Sequence, residues 1–212
     1  MSHQEGRGFT KIVIVIAIVV VTCAIYFMMT SSIQDKPLAG RGSAIDRGGS
    51  ADIGGNFTLT DQNGNAFNSA QLKDKPSLIY FGFTFCPDIC PTSLQKITKV
   101  VDTLDKYGID VNPVFITIDP KRDTAESLKK YLANFNSKFI GLTGDEKDIK
   151  ETADKFKVYY ALAQGSNTGR SDYLLDHTSL VYVMDKNGKY MAHFHIDSKP
   201  EEIIEYVRIN AR

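Results

Sequence analysis

Leu78-Ile79-Tyr80-Phe81-Gly82-Phe83-Thr84-Phe85-Cys86-Pro87-Asp88-Ile89-Cys90-Pro91 decides how this chain is read. Its first six residues form a continuous apolar run, the pattern of a central strand covered on both faces. An amphipathic helix follows from Pro91, with Leu94, Ile97, Val101 and Leu104 at helical spacing over Thr92 to Tyr107. Two thiols, Cys86 and Cys90, therefore sit where a strand meets a helix N-terminus. The helix dipole and the free backbone N–H groups there favour thiolate over thiol. Thiolates bind soft metals and attack disulfides, so one or both of these chemistries is expected.

Working outward, Val111 to Ile118 reads as a second core strand, broken at Asp119-Pro120. Thr124 to Phe135 is a helix with Leu128, Leu132 and Phe135 on one side. Phe139 to Leu142 is a candidate short strand and Asp145 to Phe156 another helix. Thr178 to Met184 and Tyr190 to His195 are strands joined by Asp185-Lys186-Asn187-Gly188, a hairpin signal. Pro200 to Asn210 closes the chain as a helix with Pro in its first turn. Upstream, Phe57-Thr58-Leu59 and Ala66-Phe67 flank Asp61-Gln62-Asn63-Gly64, a second hairpin turn. A βαβ half followed by a ββα half is the thioredoxin-like α/β layout. A cysteine motif between its first core strand and helix fits that layout independently. The N-terminal hairpin and a helical insert from about Lys121 to Phe156 are additions to the minimal fold.

The N-terminal quarter is different. Ile12 to Met29 carries no charge; at ~1.5 Å per residue it spans roughly 27 Å, the hydrocarbon thickness of a bilayer. Arg7 and Lys11 precede it, which keeps residues 1–11 on the cytoplasmic or matrix side and exports the rest. An uncleaved transmembrane anchor is expected. The alternatives are a cleaved signal peptide, for which Tyr26-Phe27-Met28-Met29 offers no small-x-small site, and lipidation at Cys23, where Val20-Val21-Thr22-Cys23 faintly resembles a lipoprotein box. Residues 30–53 are polar and Gly/Ser-rich, a flexible tether. Residues 54–212 make one domain. The chain has 25 basic and 25 acidic residues, and this zero net charge gives no reason to expect a nucleic-acid partner.

The spacing Cys86-x-x-x-Cys90 places two thiols about 6 Å apart at their Cα atoms on a helical turn, close enough for a disulfide or for one soft ion between two sulfurs. A purely structural disulfide is the bland alternative, although so short a loop gains little closure entropy. Two thiolates are few for structural zinc, which takes four ligands. Copper accepts two or three soft ligands, and thiolate with imidazole suits both of its oxidation states. Among the four histidines, His3 lies in the tail on the wrong side of the membrane. His193 and His195 share a strand face and read as surface residues. His177, before the strand expected beside the cysteine strand, is the best third ligand.

Phe83-Thr84-Phe85-Cys86-Pro87-Asp88-Ile89-Cys90-Pro91, Ile116-Thr117-Ile118-Asp119-Pro120-Lys121-Arg122-Asp123-Thr124 and Asp176-His177-Thr178-Ser179 together resemble three ordered motifs of the Sco/SenC proteins. The likeness runs from about Gly54 to Asn210. It implies copper ligation, as Cu(I) and Cu(II), one ion per domain, by Cys86, Cys90 and His177. It implies delivery to the dinuclear copper centre of cytochrome c oxidase subunit II, from an upstream copper donor. The compartment would be the bacterial periplasm or the mitochondrial intermembrane space, and the oxidised cysteine pair would not bind. The competing function is a thiol–disulfide oxidoreductase acting on the cysteines of that subunit. Outside the ligand set, Asp119-Pro120 is expected to end a strand and Asp123-Thr124 to cap a helix. Arg122 is expected to pair with a carboxylate or meet a partner. Asp88 is not expected to be a ligand, and Asp176 is a weak candidate for orienting the His177 ring.

Overall fold

The computed structural model describes residues 17–27, 52–166 and 172–210. In chain order the elements are α1 (residues 17–27), β1 (Thr58–Asp61), β2 (Ala66–Asn68), a 3-10 turn (Ser69–Leu72), β3 (Ser77–Gly82), α2 (Ile89–Lys106), β4 (Asn112–Thr117), α3 (Ala125–Leu132), β5 (Ile140–Thr143), α4 (Glu146–Lys155), β6 (Tyr160–Leu162), β7 (Leu175–His177), β8 (Leu180–Met184), β9 (Tyr190–His195) and α5 (Pro200–Asn210).

β3 is central because every one of its residues is buried and both of its edges are paired. It runs parallel to β4, Tyr80 opposite Phe115, and antiparallel to β8, Tyr80 opposite Val181. The whole sheet has the order β2-β1-β5-β4-β3-β8-β9. Side-chain alternation then divides the core. Tyr80, Phe115 and Gly141 share one face, where α2 and α3 lie; a Cβ on Gly141 would stand 2.4 Å from a methyl of Leu132. Phe194 continues this face and packs edge-on against Tyr206 of α5 at 5.6 Å. Ile79, Phe81 and Tyr182 occupy the other face, where the ring of Phe156 sits 5.3 Å from Phe81 and 5.6 Å from Tyr182.

The thioredoxin-like arrangement thus holds, with the expected N-terminal hairpin in place. The insert proves to be more than helical. β5 within it joins β4 in parallel and carries the hairpin strand β1 on its outer edge, so the two additions complete each other. One pairing went unforeseen: β6 and β7 form a separate two-stranded ribbon, Tyr160 opposite His177 and Leu162 opposite Leu175. These runs are too short to show an apolar period.

α1 lies in its own compact unit, and its Ile18, Val19, Val20, Val21 and Ile25 are all more than half exposed. Among the described residues no helix is long and apolar enough to cross a membrane. The expected span, Ile12 to Met29, extends at both ends outside the described residues, as do residues 1–11 and nearly all of the tether.

Candidate metal centre

The chain leaves β3 at Gly82 and turns into α2 at Ile89, earlier than the apolar period suggests, so Cys90 stands in the first helical turn. Asp88 is the helix N-cap residue but its carboxylate makes no capping bond. The backbone N–H of Cys90 donates instead to Cys86 Sγ at 3.4 Å. An orphan amide of the helix start thereby finds a sulfur acceptor, a contact that strengthens as that sulfur gains negative charge. Cys90 is fully buried and Cys86 about half so. Room for the buried sulfur comes from the glycine that ends β3. A Cβ on Gly82 would lie 2.8 Å from Cys90 Sγ. Both cysteines are free thiols.

His177 ends β7, and its position is set by the ribbon and by Thr178, whose N–H donates to Tyr159 O at 2.9 Å. Its ring stands edge-on to Tyr80 and Phe83, with centroids 6.2 and 5.9 Å away. His177 Nδ1 lies 3.1 Å from the carbonyl oxygen of Thr178. A carbonyl can only accept, so Nδ1 carries the proton and the Nε2 lone pair is presented outward. Nε2 is 3.5 Å from Cys90 Sγ. One donor atom from each of Cys86, Cys90 and His177 lies within 4.8 Å of the others, and this is the one such group among the described residues.

The two sulfurs differ in kind. A hydrogen bond from Cys90, outweighing partial burial and helped by the helix-start amides, brings the Cys86 thiol down to about 3. The Cys90 thiol is pushed the other way, by its role as donor to Cys86 and by burial. The metal-free pair thus holds one thiolate facing solvent and one buried thiol, sharing a proton between them. Two sulfurs and one imidazole nitrogen suit a soft ion of low coordination number and fall short of the four ligands of structural zinc.

The remaining expected residues separate. His193 lies with its Nδ1 2.6 Å from Tyr190 Oη and its ring 6.0 Å from that of His195, outside the group. His3 lies outside the described residues. Asp88 and Asp176 are exposed. The ring of His177 is oriented by the Thr178 carbonyl, because side chains of neighbours on an extended strand point apart while the next carbonyl remains in reach.

Spacing gave no sign of what supports the loop. The capping of α3 falls to Thr124 alone, which accepts from Ser127 N at 3.2 Å. Asp123 turns inward and is completely buried. It accepts from Thr84 N at 3.0 Å, Thr84 Oγ1 at 2.5 Å and Thr117 Oγ1 at 2.6 Å. Burial raises its pKa against the lowering pull of these donors. Asp119 does end β4, and it pairs with Arg122 Nε at 2.5 Å in near-complete burial. Tyr173 donates its hydroxyl to the other Asp119 oxygen at 2.5 Å. Burial and that carboxylate push the Tyr173 phenol up to about 12. An aspartate-rich turn reads alike whether its carboxylates face water or the core, so only the sheet contacts separate the two.

The SCO1/SenC family model matches residues 45–211. The chain belongs to the SCO1/SenC family. An SCO2-like protein of Rickettsia conorii is 52% identical over 198 residues, spanning 93% of this chain and 95% of that protein. The solved structure of Bradyrhizobium japonicum ScoI with copper bound is similar at 42% identity and a TM-score of 0.67, over 74% of this chain and 98% of that one. Yeast Sco1 with copper bound gives 40% identity and a TM-score of 0.66, over 74% of this chain and 88% of that one. In this SCO1/SenC chain the matched segment contains all three residues of the donor group.

Proposed function

We propose that this chain is a membrane-anchored copper metallochaperone. Cys86, Cys90 and His177 bind one Cu(I) or Cu(II), and the protein helps assemble the dinuclear copper centre of cytochrome c oxidase subunit II. The observation that carries this reading is the convergence of two sulfurs and the free Nε2 of His177 within 4.8 Å of one another. Copper-bound relatives, ScoI of Bradyrhizobium japonicum and Sco1 of yeast, support the choice of metal. A 27%-identical relative, BsSco, is described as a member of the Sco family of cytochrome c oxidase assembly proteins, which supports the destination. The copper is cargo. Cys86, at the solvent edge, is the sulfur a recipient's ligand reaches first, while buried Cys90 and His177 hold the ion until exchange is complete.

The full-length chain, purified reduced in mild detergent, is expected to take up one Cu(I), and to bind Cu(II) with a sulfur-to-copper charge-transfer band. His177→Ala should alter that band and weaken binding by more than about 100-fold, beyond the roughly 10–100-fold cost of losing a supporting hydrogen bond. An unchanged spectrum and affinity would refute the third ligand. Cys86→Ser or Cys90→Ser should abolish tight binding.

One observation favours a second activity. A low-pKa, half-exposed Cys86 beside a buried Cys90 thiol is the arrangement of an attacking and a resolving cysteine. Cys86 Sγ would attack a disulfide of the recipient and expel one thiolate. Cys90 Sγ, giving its proton to His177 Nε2, would then displace the second, leaving Cys86–Cys90 oxidised and the recipient reduced. Copper-independent reduction of a mixed disulfide substrate tests this, and a flat insulin-reduction assay counts against it.

A further inference from the structure

The three donor residues stand on two separately built pieces of chain. Cys86 and Cys90 belong to the β3–α2 junction. His177 belongs to the β6–β7 ribbon, which among the described residues is a two-stranded sheet separate from the main one. Something must hold the ribbon at the right distance, and the β4–α3 turn touches both pieces.

On the ribbon side, the ties from this turn run to Tyr173, four residues before His177. Its hydroxyl donates to Asp119 Oδ1 at 2.5 Å. Its carbonyl accepts from Arg122 Nη1 at 2.9 Å. Its ring lies under the Arg122 guanidinium, 3.5 Å from the carbon centre. On the cysteine side, the same guanidinium stands 4.5 Å from the ring centroid of Phe85, the residue before Cys86, and 5.8 Å from that of Phe83. Phe83 in turn packs on the His177 ring. Asp119 fixes the guanidinium through Nε. Arg122 is therefore a planar cation in contact both with an aromatic ring at the start of the ribbon and with one of the cysteine loop. A flat, weakly hydrated guanidinium can bond in its plane to Asp119 and the Tyr173 carbonyl while still meeting aromatic rings; an ammonium cannot.

We infer that Arg122, held by Asp119 and in contact with the rings of Tyr173 and Phe85, is a positioning residue: it latches the His177 ribbon to the cysteine loop and thereby sets how fast the bound metal leaves. The consequence for copper rests on the function proposed above; the mechanical part does not. Phe85 is 52% exposed, so the latch is reachable from outside. A recipient docking over Cys86 meets Phe85 first, and displacing that ring removes the cysteine-loop side of the Arg122 contact.

The test uses the full-length chain in mild detergent, with amide hydrogen exchange read by mass spectrometry and copper release read by capture with excess Cu(I) chelator. In Arg122→Lys, without copper, amides 173–178 should exchange at least about tenfold faster while β3 and β4 keep parent rates. Copper should leave at least about tenfold faster. Phe85→Leu should shift both in the same direction, and Phe85→Tyr, which keeps the ring, should match the parent. If Arg122→Lys loosens β3 and β4 as well, exposed Phe85→Leu decides the matter. Parent-like exchange at 173–178 in both Arg122→Lys and Phe85→Leu overturns the latch. So does a loosened ribbon with unchanged copper release. A parent chain that takes up no copper instead overturns the function reading, and the exchange measurement then judges the latch alone.

Discussion

Cys86 and Cys90 are the same residue type, four positions apart, yet their surroundings make opposite acids of them. A helix-start amide and the thiol of Cys90 both donate to Cys86, while Cys90 is enclosed by Tyr80, Gly82 and the helix. Because the Cys86 pKa is depressed to about 3, its thiolate is populated at every pH above that value. An ordinary thiol, with pKa about 8.5, loses thiolate roughly tenfold per pH unit as the solution is acidified. In the metal-free, reduced chain we therefore expect iodoacetamide to modify Cys86 first, at a rate nearly flat from about pH 8 down to about pH 5. Cys90 should remain unmodified until the fold opens. Peptide mapping after timed quenching checks this. A tenfold fall in Cys86 labelling per pH unit below pH 8 would show that the hydrogen bonds do not hold the thiolate. The motif announces two reactive sulfurs, but which of them is the anion depends on burial, and burial is not written in the spacing.

The junction of β3 and α2 works as an element because of a missing side chain. Gly82 has ordinary strand geometry; its value is the volume it leaves. A methyl group there would meet Cys90 Sγ at 2.8 Å and the rings of Tyr80 and Phe115 at 3.0 Å. Gly82→Ala is expected to destabilise the chain by about 1–3 kcal/mol through overpacking, read by thermal unfolding. It should also displace the Cys90 sulfur and so weaken copper binding. Unchanged stability would mean that the helix start shifts freely over the strand. At this scale the apolar periods were informative. The continuous run at Leu78 to Phe83, the hairpin signal at Asp185 to Gly188 and the proline-led Pro200–Asn210 helix all match the structure. The β6–β7 ribbon was illegible because three-residue strands show no period, and it carries His177. The inward turn of Asp123 was illegible for another reason. Its partners are Thr117, at the end of β4, and Thr84, in the turn after the neighbouring β3, and which segments meet across a sheet is set by register.

For the whole molecule, the open matter is how the α/β unit is held in its compartment. Ile12 to Met29 carries no charge, and as a helix at ~1.5 Å per residue it would span roughly 27 Å, enough to cross a hydrocarbon core. The full chain is expected to sediment with membranes and to resist alkaline carbonate extraction, while a chain lacking residues 1–29 should appear in the soluble fraction. Release of the full chain by carbonate would refute the anchor. Cleavage after export would show as a shorter mature N-terminus by mass spectrometry.

The sequence by itself determined the elements and the chemistry on offer: a strand, two sulfurs and a helix in order, a histidine far downstream, and the family to which three spaced motifs point. These follow from local pattern, since apolar period, turn residues and donor softness are properties of short segments. Only the tertiary structure decided which atoms meet. Nε2 of His177 faces the sulfurs because the Thr178 carbonyl accepts the hydrogen bond from Nδ1–H, and the ribbon stands near the cysteines through contacts to Asp119 and Arg122, more than fifty residues away in the chain. Such encounters depend on how the sheet brings distant segments into register.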